Sequence, residues 1–205
     1  MPRRPHPPRR PRPRLGDPEH ADERRRPVIL TGPEITSASQ DGRLRISPFL
    51  PTQVNPNSYN VRLGPVLLTY TEEVLDSHRP NPTRRIQIGD DGYTLQPGEL
   101  YLGHTQEEVG SDCFVPLLFG RSSVGRLGLF VEITAPIGDI GFHGQWTLML
   151  TPTRPVRVYA GMRIGQIMFF VSEGAVDLYA GKYQAASGPQ SSAYWRDLDA
   201  SEAAS

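Results

Sequence analysis

The sequence contains a single cysteine, no long apolar run and little helical periodicity. Cys113 stands alone among 205 residues, so an intramolecular disulfide and a metal site built from several cysteines are excluded. No stretch reaches the roughly 18 consecutive apolar residues that a membrane-spanning helix requires. A chain of this length can bury a sizeable core in one domain. We therefore expect one domain without a membrane segment, located in the cytoplasm.

Charge is distributed unevenly, although the whole chain is formally neutral. Residues 1–26 hold nine arginines and four acidic side chains, whereas the rest of the chain holds 13 basic and 18 acidic side chains. The same 26 residues are rich in proline and nearly devoid of apolar side chains. They cannot bury enough surface to offset the entropy of ordering, and they are predicted to form a disordered arm. A solvated tail is favoured over contact between this arm and nucleic acid.

From residue 28 onward the pattern is that of an all-β domain with short helices. Short runs of β-branched and aromatic residues alternate with Gly, Pro, Asp and Asn. The predicted strands are residues 115–119, 127–134, 146–150, 156–159 and 164–171. One short helix is predicted over residues 33–39, where Pro33 suits a first helical position. We expect a compact double sheet or distorted barrel.

The most informative segment is residues 120–129, GRSSVGRLGL. It places the guanidinium groups of Arg121 and Arg126 and the hydroxyls of Ser122 and Ser123 on one glycine-flanked turn. A guanidinium fork matches phosphate oxygens in pairs, and serine hydroxyls add short donors. The turn is therefore predicted to bind an anion, and a polyphosphate is the natural ligand.

A longer stretch around this turn, residues 120–144, resembles the dCTP deaminase and dUTPase superfamily. Four further blocks match the family in the same order along residues 28–197. They are SYNVRLG at 58–64, LGHTQE at 102–107, GMRIGQ at 161–166, and KYQ at 182–184 followed by GP at 188–189. The resemblance implies a jelly-roll-like, distorted β-barrel of the dUTPase type over residues 27–180, and a mobile tail over residues 181–205 that closes over the site. It also implies a homotrimer with active sites shared between subunits.

The resemblance assigns roles to individual residues. The positions that hold the triphosphate of a pyrimidine deoxynucleoside triphosphate correspond to Arg121, Ser122, Ser123 and Arg126, and the tail positions over the nucleotide correspond to Lys182 and Tyr183. Asp139 lies in the hairpin that receives deoxyribose and base, where a carboxylate can hold a sugar hydroxyl and orient or deprotonate a water. Mg²⁺ is expected to bind through the substrate phosphates, with no direct protein ligand. The zinc-deaminase signature, H-x-E followed by P-C-x-x-C, is absent.

One departure from the family bears directly on deamination. The strand after the hairpin reads WTLML at 146–150, and dCTP deaminases carry a glutamate at the position of Met149 that moves protons between water and the cytosine ring. Methionine carries no proton, so deamination requires another acid. Glu132 is the nearest candidate in sequence, but its alternation with Val131 and Ile133 predicts an outward or interface-facing position.

Two smaller departures are Asn60, where aspartate is usual, and Ala186, where glutamine is usual. The candidates for phosphate binding and water positioning are retained, so hydrolysis of dUTP or a related pyrimidine triphosphate to monophosphate and pyrophosphate is the first hypothesis. A dCTP deaminase with a relocated proton carrier is the second. A non-catalytic nucleotide-binding or regulatory relative is the third.

Overall fold

Eleven strands and three helices make up residues 28–202, the part of the chain that the computed structural model describes. The predicted arm, residues 1–26, lies outside the described residues. The strands are β1 (Arg45–Ser47), β2 (Tyr59–Arg62), β3 (Val66–Tyr70), β4 (Thr83–Gln87), β5 (Tyr93–Leu95), β6 (Tyr101–Gly110), β7 (Phe114–Gly120), β8 (Leu129–Phe130), β9 (His143–Pro152), β10 (Val156–Val158) and β11 (Arg163–Val171). The helices are α1 (Gly32–Gln40), α2 (Ser122–Gly125) and α3 (Trp195–Glu202), and a 3₁₀ turn covers Pro51–Gln53. Residues 181–202 are called the C-terminal segment below.

The prediction of an all-β domain with short helices is confirmed. Four of the five predicted strands coincide with β7, β9, β10 and β11, and the predicted helix coincides with α1. The exception is the predicted strand at residues 127–134, where only Leu129–Phe130 is a strand. Gly128 adopts a φ of 79°, a left-handed conformation that a strand cannot continue. After β8, the carboxylate of Glu132 accepts hydrogen bonds from the next three backbone amides and turns the chain out of the sheet.

Pairing between strands that are distant in sequence forms three sheets. The largest has the order β4-β3-β6-β9-β8 with β1 also on β6, and the others are β2-β11-β7 and β5-β10. Along β9, Trp146, Leu148 and Leu150 are buried in the core, while Thr147 and Met149 lie on the opposite face. That opposite face of β9 positions the candidate site.

Two of the matched sequence blocks meet in a buried ion pair. Glu107 on β6 is fully buried, and its carboxylate accepts hydrogen bonds from Nε of Arg62 at 2.7 Å and from the Arg62 backbone amide at 2.9 Å. Because Arg62 ends β2, the pair joins the three-stranded sheet to the six-stranded sheet. These blocks therefore contribute to the assembly of the domain.

Asn60 has a structural role. Its side chain is buried, and Nδ2 donates to the backbone carbonyl of Gln53 and to Oδ1 of Asn55, both at 3.0 Å. An ionised aspartate has no donor to make these two bonds. The departure at residue 60 therefore supports the neighbouring 3₁₀ turn, and this residue does not line the cavity described below.

His104 on β6 is a buried, neutral histidine. Its Nδ1 lies 2.9 Å from the carbonyl oxygen of Thr105, which can only accept, so Nδ1 carries the proton. Its Nε2 is buried without a hydrogen-bond partner in the described part of the chain. Burial lowers the pKa of His104; the contacts with the Thr105 carbonyl and the Gln145 side chain oppose this shift, and the charge of Arg85 adds to it. Gly64 leaves the space for the ring, since a Cβ at residue 64 would overlap it.

This burial predicts a loss of stability in mild acid. The unfolded chain takes up a proton near pH 6.5, the ordinary value, whereas the folded chain does so only at lower pH. The contribution of neutral His104 to the free energy of unfolding is therefore complete above pH 6.5. As the pH falls below 6.5, this contribution decreases by up to about 1.4 kcal/mol per pH unit, until the pH passes the pKa of His104 in the folded chain. Urea unfolding between pH 5 and 7 measures this slope. The His104→Gln variant should show a flatter dependence, and equal slopes would contradict the role given to His104.

Candidate functional site

A cavity of about 530 Å³ opens on the face of β9 that points away from the core. Gln145, Thr147 and Met149 form its floor, because side chains two residues apart lie on the same side of a strand. The aromatic rings of Phe142 and Trp146 add an apolar wall, packed edge to face with centroids 5.7 Å apart. This combination of apolar surface and a few polar groups is typical of a small-molecule site.

The C-terminal segment runs alongside β9 and covers one side of the cavity. The amide of Gln145 donates to the carbonyl of Ala186 at 2.8 Å, and the amide of Gly188 donates to Oε1 of Gln145 at 2.6 Å. The amide of Gln190 donates to Oγ1 of Thr147 at 3.0 Å. Residue 186, one of the departures from the family pattern, therefore contributes backbone contacts to β9. The mobility of this segment stays a prediction.

Asp139 lines the cavity from the hairpin that precedes β9. Its backbone carbonyl accepts the amide of Phe142 in the turn at 3.2 Å. Its carboxylate makes no hydrogen bond within residues 28–202, so it does not cap the turn. An exposed carboxylate at a cavity wall, without a partner in the described chain, is available to a ligand hydroxyl or a water.

Glu132, for which the sequence predicts an outward or interface-facing position, lies outside the core and lines the cavity. Its Oε1 accepts the backbone amides of Ile133, Thr134 and Ala135 at 3.0, 3.1 and 3.0 Å. The alternation persists after β8 ends at Phe130, since Val131 is buried in the core and Glu132 is not.

The phosphate turn lies apart from the cavity within one chain. Arg121 precedes α2, and Ser122, Ser123 and Arg126 are exposed around this short helix. None of these four residues lines the cavity. The structure therefore brings together Asp139, Tyr183 and Met149, but not the residues predicted to hold the phosphates.

Lys182 and Tyr183 are placed differently although they are adjacent. Tyr183 lines the cavity, and its hydroxyl accepts the amide of Ala193 at 2.9 Å. The ammonium group of Lys182 lies over the Tyr183 ring, 5.6 Å from its centroid, and pairs with Asp197 of α3. Lys182 is not among the residues that line the cavity.

Two observations concern metals and membranes. Within residues 28–202 no group of three or more His, Cys, Asp or Glu side chains is placed to hold a metal ion. In the same residues, no helix combines the length and the apolar character needed to cross a membrane.

The fold and the cavity define an all-β protein with a small-molecule site on one strand. Comparison with known proteins shows its family. Residues 29–172 match the family model described as dCTP deaminase-like, and the chain belongs to this family. It is 47% identical over 173 residues to the dCTP deaminase, dUMP-forming, of Leptospira biflexa, covering 84% of this chain and 99% of that protein. The protein of the same name from Clostridium beijerinckii is 46% identical over 173 residues, with the same coverage of both chains.

A solved structure supports the same fold. The 2'-deoxycytidine 5'-triphosphate deaminase from Agrobacterium tumefaciens superposes with a TM-score of 0.58 and 21% sequence identity. The superposition covers 71% of this chain and 48% of that chain. The expected dUTPase-type β fold is therefore confirmed.

Proposed function

We propose that the protein deaminates dCTP and releases dUMP. The overall similarity to relatives named dCTP deaminase, dUMP-forming, supports deamination over hydrolysis of dUTP alone, the first hypothesis from the sequence. Hydrolysis of dUTP is retained as the second half of the reaction. The observation that carries the proposal is the cavity on β9, where the carboxylate of Asp139 has no partner in the described chain.

The proposed reaction has two hydrolytic steps. Water adds to C4 of cytosine and the C4–N4 bond breaks, so that dCTP and water give dUTP and ammonia. A second water then attacks the α-phosphorus and pyrophosphate leaves, which gives dUMP. Asp139 holds the deoxyribose hydroxyl and orients water, while Arg121 and Arg126 bind the phosphate oxygens. Mg²⁺ enters with the triphosphate as part of the substrate, coordinated by phosphate oxygens and waters.

We further propose that the active site forms between subunits of a homotrimer. A nucleotide bound in the cavity of one chain needs phosphate ligands that this chain does not place there. Exposed apolar side chains beside the phosphate turn and the hairpin offer a surface for subunit contact; they are Leu127, Phe130, Ile133 and Ile137. A neighbouring copy docked there would bring its phosphate turn to the cavity.

Product analysis tests the proposed reaction. Purified protein is incubated with Mg²⁺ and either dCTP or dUTP, and nucleotides and ammonia are quantified after chromatography. We expect dCTP to yield dUMP with one equivalent of ammonia. Formation of dUMP from dUTP alone would identify a hydrolase without deaminase activity. Nucleotide binding without turnover would identify a non-catalytic relative.

The phosphate turn is tested by the Arg126→Ala variant. Loss of charge-assisted hydrogen bonds worth about 1.5–3 kcal/mol should weaken triphosphate binding roughly ten- to a hundredfold. Calorimetric titration with a non-hydrolysable dCTP analogue measures the affinity. Arg157→Ala on β10 is the matched control, because Arg157 is exposed and does not line the cavity. Equal affinities of the two variants would exclude Arg126 from phosphate binding.

A further inference from the structure

Glu132 and Met149 line the same cavity. β8 pairs antiparallel with β9 through Leu129 and Pro152, then through Phe130 and Thr151. Glu132 follows the last paired residue of β8 by two positions, and Met149 precedes the partner of that residue, Thr151, by two positions.

Burial follows the same order in the two segments. Val131 and Leu150 are both buried in the core. Glu132 and Met149, one residue further along, both line the cavity. The side chains of residues 132 and 149 therefore share one cavity, and a carboxylate at residue 132 can serve a ligand that a carboxylate at residue 149 would serve.

One carboxylate oxygen of Glu132 accepts hydrogen bonds from the backbone, and the other accepts none within the described chain. All three backbone amides that bind it donate to Oε1. Oε2 makes no hydrogen bond with any residue of the described chain. Three converging donors fix the orientation of the group, as a catalytic proton carrier requires.

Two carboxylates line the cavity, those of Asp139 and Glu132, and they differ in exposure. Asp139 stands on the hairpin at the edge of the cavity and is exposed. Glu132 is half-buried and lines the same cavity as Met149 and Thr147. No cationic side chain of the described residues lines this cavity. Of the two carboxylates, Glu132 is the more buried and the one held by backbone donors.

We infer that Glu132 is the proton carrier for deamination in this chain, an inference that rests on the proposed function. Oε2 accepts a proton from the attacking water as the water oxygen bonds to C4, and this proton passes to N3 of the ring. The remaining hydroxyl proton then passes through the same oxygen to the amino group. The C4–N4 bond breaks, its electron pair leaves with ammonia, and C4 keeps the oxygen as a carbonyl.

The Glu132→Gln variant tests this role with little disturbance of the fold. Glutamine keeps an oxygen for the three backbone amides but replaces Oε2 with an amide that cannot accept a proton. The kcat of dCTP deamination should fall by roughly a hundred- to ten-thousandfold, while affinity for dCTP and hydrolysis of dUTP stay within a few-fold of the unmodified protein. Glu108→Gln, an exposed glutamate paired with Arg45, is the matched control and should leave deamination unchanged.

A double variant restores a carboxylate to the cavity at residue 149. In the Glu132→Gln background, Met149→Glu supplies this carboxylate, and deamination should recover at least tenfold over Glu132→Gln alone. If deamination is lost in Glu132→Gln and does not recover in the double variant, while both still bind dCTP with unchanged affinity, the inference is overturned. Deamination by Glu132→Gln equal to that of the unmodified protein would overturn the inference and leave the proposed function standing. Absence of deamination in the unmodified protein would overturn both.

Discussion

The Glu107→Ala variant is expected to lose about 3–5 kcal/mol of its free energy of unfolding, a large share of the stability of an ordinary domain. Glu107 is fully buried and pairs with both Nε and the backbone amide of Arg62. Alanine would leave the guanidinium group without its anionic partner and the amide without an acceptor. Since the pair joins two sheets, the loss should affect the whole domain. Urea unfolding at a fixed protein concentration measures it.

The neighbouring residue provides the control for this prediction. Glu108 on the same strand points to solvent and pairs with Arg45, whose side chain is also exposed. Exposed pairs contribute little to stability because water and salt screen them. Glu108→Ala should therefore change the unfolding free energy much less. Similar losses in the two variants would show that the buried pair does not hold the sheets together.

The all-β class and four strands in the second half of the chain could be predicted from the sequence, because these strands alternate or run apolar between turn residues, whereas β1 to β6 were not predicted. β9 and β11 are long and carry strong apolar patterns, and both were located by them. The predicted strand at 127–134 failed because two local features interrupt it. Gly128 has a left-handed backbone, and the Glu132 carboxylate binds the amides that follow it. Neither feature is visible in a count of β-branched residues.

The residues of the candidate site could be predicted from the sequence, but their relative positions within one chain could not. The phosphate turn was identified by residue types whose chemistry is local, and Asp139 by its place in a matched hairpin. The separation of this turn from the cavity depends on sheet order, which joins strands far apart in sequence. The place of Glu132 at the cavity depends on the path of the chain after β8 ends, which no local pattern specifies.

The other large effect is expected at Asp139. Asp139→Asn keeps the shape of the side chain but removes the negative charge, so the group no longer orients or deprotonates a water effectively. We expect kcat/KM for dCTP to fall by roughly a hundred- to ten-thousandfold. Thermal unfolding should be unchanged, because the carboxylate makes no hydrogen bond within the described chain. Steady-state kinetics and a melting curve check both points, and full activity would remove Asp139 from the mechanism.

Mixing two impaired variants extends this test to the proposed shared site. Asp139→Asn chains retain an intact phosphate turn, and Arg126→Ala chains retain an intact cavity. If each site joins the cavity of one subunit to the turn of the next, about one site in four is intact in randomly assembled trimers of equal composition. Co-expression of the two chains should therefore restore about a quarter of the kcat/KM of the unmodified protein. Activity no greater than the average of the separate variants would place the whole site within one chain, because no assembly of these chains would then contain an intact site.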